Sequence, residues 1–177
     1  MSSNINGYKP VKVLKRGGKS LKVTLMGNKE GNKIIKKQYD QNISTHRDSF
    51  YKEIRVLTGL KSYPYTPKLL YVDYDHYTFY ETYCGTQVPK DPIYKEKMIE
   101  RTKDLYKKYG LKYIVNGKQE WFVHKYNYCL MNNEIYMIDF GSIKWKIPNN
   151  EIFGNVVEKN KTSNITNSDK LIVIRRT

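Results

Sequence analysis

The chain has 177 residues with a formal charge of +15, and 39% of it is hydrophobic, enough to build one real core without a second domain. No run of about 18 apolar residues and no signal-peptide pattern occurs, which predicts a soluble, intracellular protein with no membrane span. The charge would draw nucleic acid, an anionic membrane surface or acidic proteins to any fold, but the lysines are spread along the chain, so a solvated basic surface explains them equally well.

The cysteines and histidines suggest neither a disulfide framework nor a metal site. Cys84 and Cys129 are far apart and form no Cys-x-x-Cys pair, and His46, His76 and His124 lack metal-ligand spacing. Seventeen tyrosines interleave with lysines, a composition suited to stacking on bases, although most of them fall within apolar strand patterns that core packing accounts for.

From the N-terminus, "YKPVKVLKRGG" and "KSLKVTLMG" read as two strands around Gly17 and Gly18, and "NKIIKKQY" reads as a third after the turn-rich "GNKEGN". Together they form an antiparallel meander. "THRDSFYKEIRVLTGL" is a helix, with a Thr-x-x-Asp capping signature at Thr45 and Asp48 and an apolar stripe through Phe50, Ile54 and Leu57. Glu53 lies about 60° from Phe50 around that helix, at the margin of the stripe, where it can face inward.

Two more strands, "KLLYVDYD" and "YTFYETYCG", bring the first half to five strands and one helix. The second helix, "DPIYKEKMIERTKDLYKKYG", carries its own boundaries: Asp91 as N-cap, Pro92 at the first helical position and Gly110 past the end. Then come "LKYIV", the turn "NGKQ", the segment "EWFVHKYN" and a hairpin, "YCLMNNEIYMIDFG", whose two apolar runs are split by Asn-Asn. The polar "EKNKTSNITNSD" reads as a linker before a possible last strand, "KLIVI".

One constellation stands out in this order of elements. A lysine, Lys36, lies inside the third strand, an inward glutamate, Glu53, follows on the helix, and Asn127 precedes the Asp139 of Asp-Phe-Gly by twelve positions across an apolar hairpin. Read singly, Lys36 and Glu53 are surface charges, Asn127 a turn residue and Asp139 a strand-end cap. In sequence they resemble the protein-kinase-like superfamily over about Val11 to Ser142. The compact, lysine- and asparagine-rich character is similar to small kinase-like proteins of large DNA viruses.

The resemblance implies an α+β, two-lobed protein-kinase-like fold: a five-stranded antiparallel N-lobe with one helix over residues 8–84, a reduced C-lobe over 85–150 and a polar tail over 151–177. It also implies ATP and magnesium as ligands. Lys36 would neutralise phosphates and Glu53 would hold it, while Gly17 and Gly18 would lie over the phosphates. Backbone groups near Glu81 and Tyr83 would meet the adenine edge, unless "FYETYCG" is an ordinary edge strand. Asn127 and Asp139 would hold the metal, an oxygen-only pair that suits a hard cation.

Three departures follow from the same comparison. The glycine loop keeps only Gly17 and Gly18. Phe122 occupies the position of the catalytic-loop aspartate, five residues before Asn127, although His124 echoes the Asp-x-His-x-x-Asn of aminoglycoside-type phosphotransferases. Only about 35 residues follow Gly141, too few for the usual peptide-substrate platform.

Between Lys112 and Asn133 the sole carboxylate is Glu120, either a substitute base or a strand residue facing water. Three functions are therefore compatible with the sequence. One is a nucleotide-binding protein with weak or no catalysis, another is an atypical kinase acting through Glu120 on Ser/Thr or a small molecule, and the third is a basic module for nucleic acid or an acidic protein.

Overall fold

Period-two burial along the N-terminal segments and period-3.6 burial along two later ones divide the chain into a sheet-rich part and its helical supports. The structure, a computed structural model, describes residues 5–16, 20–121 and 124–154. In chain order the elements are β1 (Lys9–Arg16), β2 (Lys22–Gly27), β3 (Lys33–Gln38), α1 (Ser44–Gly59), β4 (Leu69–Asp73), β5 (Thr78–Thr82), β6 (Thr86–Gln87), α2 (Pro92–Tyr109), β7 (Lys112–Val115), β8 (Lys118–Gln119), a 3₁₀ turn (Lys125–Asn127), β9 (Tyr128–Met131), β10 (Glu134–Met137) and β11 (Trp145–Lys146). Gly17, Gly18, Phe122 and the expected terminal strand "KLIVI" lie outside the described residues.

The architecture is α+β. Five strands form one antiparallel sheet in the order β1-β2-β3-β5-β4, with β3 central. Two small antiparallel sheets follow, β10-β9-β6 and β11-β7-β8. Asn132 and Asn133, both at positive φ, make the two-residue turn between β9 and β10, and Asn116 with Gly117 does the same between β7 and β8. These are the residues that tolerate the left-handed turn such a tight hairpin requires.

α1 packs its stripe of Phe50, Ile54 and Leu57 against the five-stranded sheet. Phe50 is fully buried among rings, with centroids 5.6 Å from Tyr39, 5.1 Å from Tyr77 and 6.2 Å from Phe79. Burying a side chain of this kind contributes about 1.5–3 kcal/mol, so the cluster fixes which face of α1 turns inward. α2 buries Met98, Thr102 and Leu105 on one stripe. There the Thr102 hydroxyl lies 2.9 Å from the Tyr128 hydroxyl, which itself donates to the Met98 carbonyl at 3.2 Å.

The two helix starts differ from each other. Asp91 caps α2 as expected, accepting the Ile93 N–H at 3.0 Å, with Pro92 next and Gly110 left-handed at the end. The Thr45–Asp48 capping signature is not used. The cap lies two residues earlier, at Ile43, and makes no side-chain cap bond. Asp40 and His46 organise that corner: the Asp40 carboxylate accepts the Asn42 N–H at 2.9 Å, and His46 Nδ1 accepts the Asp40 N–H at 3.2 Å. Side-chain bonds to the preceding turn have displaced the local cap.

No helix of the described residues is long and apolar enough to cross a membrane. The caps give a direct test. Asp91→Ala should lower the unfolding free energy by about 1 kcal/mol in urea titrations, whereas Thr45→Ala should change it by less than about 0.5 kcal/mol.

Candidate functional site

β3 carries two adjacent lysines, and a strand sends adjacent side chains to opposite faces. Lys37 is paired across the sheet with Phe79 and lies in phase with Ile35, which is opposite Glu81. These residues share the face covered by α1. Lys36 pairs with Tyr80 and Thr24 on the other face, half-buried, its Nζ 5.8 Å from the Tyr80 ring centroid.

It is therefore Lys37, one residue past the expected Lys36, that meets the helix glutamate. Its Nζ lies 2.6 Å from Glu53 Oε1 and 3.1 Å from a second carboxylate, Glu81 Oε1. Glu53 is fully buried and its other oxygen, Oε2, accepts the Tyr39 hydroxyl at 2.5 Å. The inward placement expected for Glu53 at the margin of its helix stripe is what the structure has.

Glu81 contributes its side chain. The sequence pointed to its backbone as part of a connecting segment, but the carboxylate is buried against Lys37, and its Oε2 has no hydrogen-bond partner. Tyr83 lies beyond the end of β5, half-buried, with Lys33 Nζ 5.7 Å from its ring centroid.

The Asp-Phe-Gly segment reaches this cluster from the other side. β10 ends at Met137, and Asp139 turns left-handed at φ 64°, a conformation Asp tolerates better than most residues. Its carboxylate acts electrostatically on Lys37, Tyr39 and Glu81. Phe140 is fully buried, 5.3 Å from the Trp145 ring.

Gly141 abuts α1 so closely that an added Cβ would lie 3.1 Å from the Ser49 carbonyl oxygen and 3.4 Å from Glu53 Oε2. No larger residue fits without moving the helix that carries Glu53. Asn127, in the 3₁₀ turn, is tied to the same segment, since its carbonyl accepts the Ile138 N–H at 2.8 Å. That backbone bond brings Asn127 beside the Asp139 segment, which meets α1 at Gly141. Glu120 is exposed, its N–H bonded to the Tyr113 carbonyl of β7 at 2.8 Å.

Charge in this cluster is unbalanced. Burial by itself would lower the Lys37 pKa, but Glu53, Glu81 and Asp139 outweigh it and hold the ammonium well above its ordinary range. Burial raises Glu81, Lys37 pulls it back, and the neighbouring Glu53 and Asp139 push it up again, to about 7. Of the pair, Lys37 stays charged and Glu81 is the group that takes up a proton. Tyr39 is held neutral, first by burial and then by Glu53.

Among the described residues no group of three or more His, Cys, Asp or Glu side chains is disposed to hold a metal ion. Two surface cavities, of about 380 and 490 Å³, lie elsewhere, one outside α1 against Trp145 and the other beside Arg101 and Tyr65. No protein-family model matches the chain, and no curated protein matches it significantly.

Two measurements test the cluster. Lys37→Met strands two buried carboxylates and should cost about 3–5 kcal/mol in chemical denaturation, against less than about 1 kcal/mol for Lys36→Met. Because the folded pKa of Glu81 lies above the ordinary 4.5, its contribution to stability is complete below that value and is lost as pH rises through about 7. Wild type should therefore lose stability relative to Glu81→Gln over that window, and denaturation midpoints that run parallel across it would refute the assignment.

Proposed function

We propose that this chain is a kinase-like nucleotide-binding protein. It holds ATP and magnesium between the five-stranded sheet and the Asn127–Asp139 hairpin, as an N-lobe over a reduced C-lobe, with weak or no phosphoryl transfer. The observation that carries this reading is the buried Lys37–Glu53 pair from β3 and α1, against which the Asp-Phe-Gly segment packs through Gly141. A structural ion pair needs only two partners, and the Asp-Phe-Gly turn adds a third acidic group, Asp139, in a left-handed conformation.

The donors suit magnesium. Asn127 and Asp139 offer oxygen only, and a pair of protein ligands leaves most of the coordination shell to phosphate and water, as this ion prefers. When bound, the metal would offset the negative charge of the phosphates. Lys37 supplies the fixed positive charge on the sheet side, Glu53 sets its direction, and the half-buried Tyr83 lies where the chain leaves β5.

Weak catalysis follows from the residues around the reacting end. Phe122 stands where the family has its aspartate and has no proton acceptor. Glu120 is exposed and tied through its backbone to β7, which favours a solvent-facing role over that of a base. Loss of a general base removes about 10²–10⁴-fold of rate while leaving the positioning groups in place.

Thermal unfolding with ATP and magnesium tests the reading. At a hundredfold excess over Kd the midpoint should rise by about 5–10 °C in wild type and not in Asp139→Ala. Transfer of labelled phosphate should be slow or absent and the same in Glu120→Gln. A wild-type midpoint that ATP and magnesium leave unmoved rules out the nucleotide site.

A further inference from the structure

Asp48, Lys52 and Arg55 follow one another at helical spacing along α1, on the side of the helix opposite the buried Phe50, Ile54 and Leu57. With Trp145, Lys146 and Ile147 they line a surface cavity of about 380 Å³. Its charge is one-sided, three cations against the single carboxylate of Asp48. Among the described residues neither Arg55 nor Lys146 forms an ion pair. Arg55 is nevertheless anchored, since its Nε donates to the Phe153 carbonyl at 3.2 Å, which leaves the terminal nitrogens of the guanidinium for another acceptor.

Two further features point to an occupant. Trp145 is fully buried, yet its indole N–H has no hydrogen-bond partner among the described residues. A buried donor of this kind is costly until an acceptor reaches it. Large apolar side chains are also exposed beside the cavity: Ile143, two residues before Trp145, at 72%, and Ile152, next to the Phe153 that anchors Arg55, at 47%.

We propose that the cleft between α1 and the 143–152 segment is a docking site for an acidic peptide of a partner protein, one in which Asp or Glu side chains flank a large apolar residue. Carboxylates answer Arg55, Lys52 and Lys146 and supply the acceptor that the indole lacks, while the apolar residue covers the isoleucines. A nucleic-acid strand meets the same cations but brings no aliphatic side chain to Ile143 and Ile152, and Asp48 opposes its closely spaced phosphates. A second copy of this chain carries +15 itself and is repelled. The site is across α1 from the Lys37–Glu53 pair and does not depend on the nucleotide reading.

The test uses fluorescein-labelled peptides of about ten residues, each with Leu, Ile, Phe or Trp between two pairs of Asp or Glu, titrated with the full chain in about 0.15 M salt and read by anisotropy. At least one should bind with a Kd of about 10–100 μM, in the range of a small interface. Lys146→Glu and Ile143→Ser, both at exposed positions, should each weaken it by about tenfold, and Arg55→Gln by a similar factor. Lys29→Glu, the same charge change on the exposed turn between β2 and β3, should weaken it by less than about twofold.

If no peptide of the set binds below about 1 mM, the proposal is overturned. Equal weakening by Lys29→Glu and Lys146→Glu also overturns it, because the basic surface as a whole would then be the binder. So does tighter binding of an oligothymidylate of equal charge that Lys146→Glu weakens and Ile143→Ser does not, which would assign the cleft to nucleic acid.

Discussion

The Lys37 ammonium is buried, and a buried charge has to be answered by opposite charge close at hand. That requirement ties together parts of the chain that share no other reason to meet. Glu53 comes from α1, Glu81 from β5 and Asp139 from the turn after β10, and all three act on the buried cation of β3, Lys37. The sheet, the helix and the distal hairpin are therefore fixed relative to one another by electrostatics at the centre and by aromatic packing around it. Phe50, Tyr39 and Phe79 form the dry wall that keeps this charge cluster strong.

The cluster carries more acid than a structural ion pair requires. Paired buried charges near balance are close to neutral for stability, and an extra carboxylate with an unsatisfied oxygen makes them worse. The chain as a whole is strongly basic, so this locally acidic cluster stands against the background field of the molecule.

Much of the scaffold was legible in the sequence. α2 announces itself by Asp91, Pro92 and Gly110, because capping and termination depend on a few neighbouring residues and no distant ones. The strand segments and the tight turns at Asn116–Gly117 and Asn132–Asn133 were equally local. The start of α1 was not. Thr45 and Asp48 have the right spacing, but Asp40 and His46 close the preceding corner first, and a competing local bond of that kind leaves no mark in the pattern.

The site divides in the same way. Residue types and their order determined that a strand lysine, a helix glutamate and an asparagine–aspartate pair exist, and that the glutamate lies beside the buried stripe of its helix. Which lysine it meets depended on the tertiary structure, because Ile34 and Ile35 are both buried and the apolar pattern of β3 does not choose a face. Only Tyr39, in phase with Lys37, carried that signal, together with Phe79 opposite it. Glu81 was in phase with Phe79, and its inward carboxylate could have been read from that alternation. The approach of Asp139 to Lys37 had no local cause. It joins positions about a hundred residues apart, and only the folded sheet, α1 and the glycine at 141 set the space in which those charges meet.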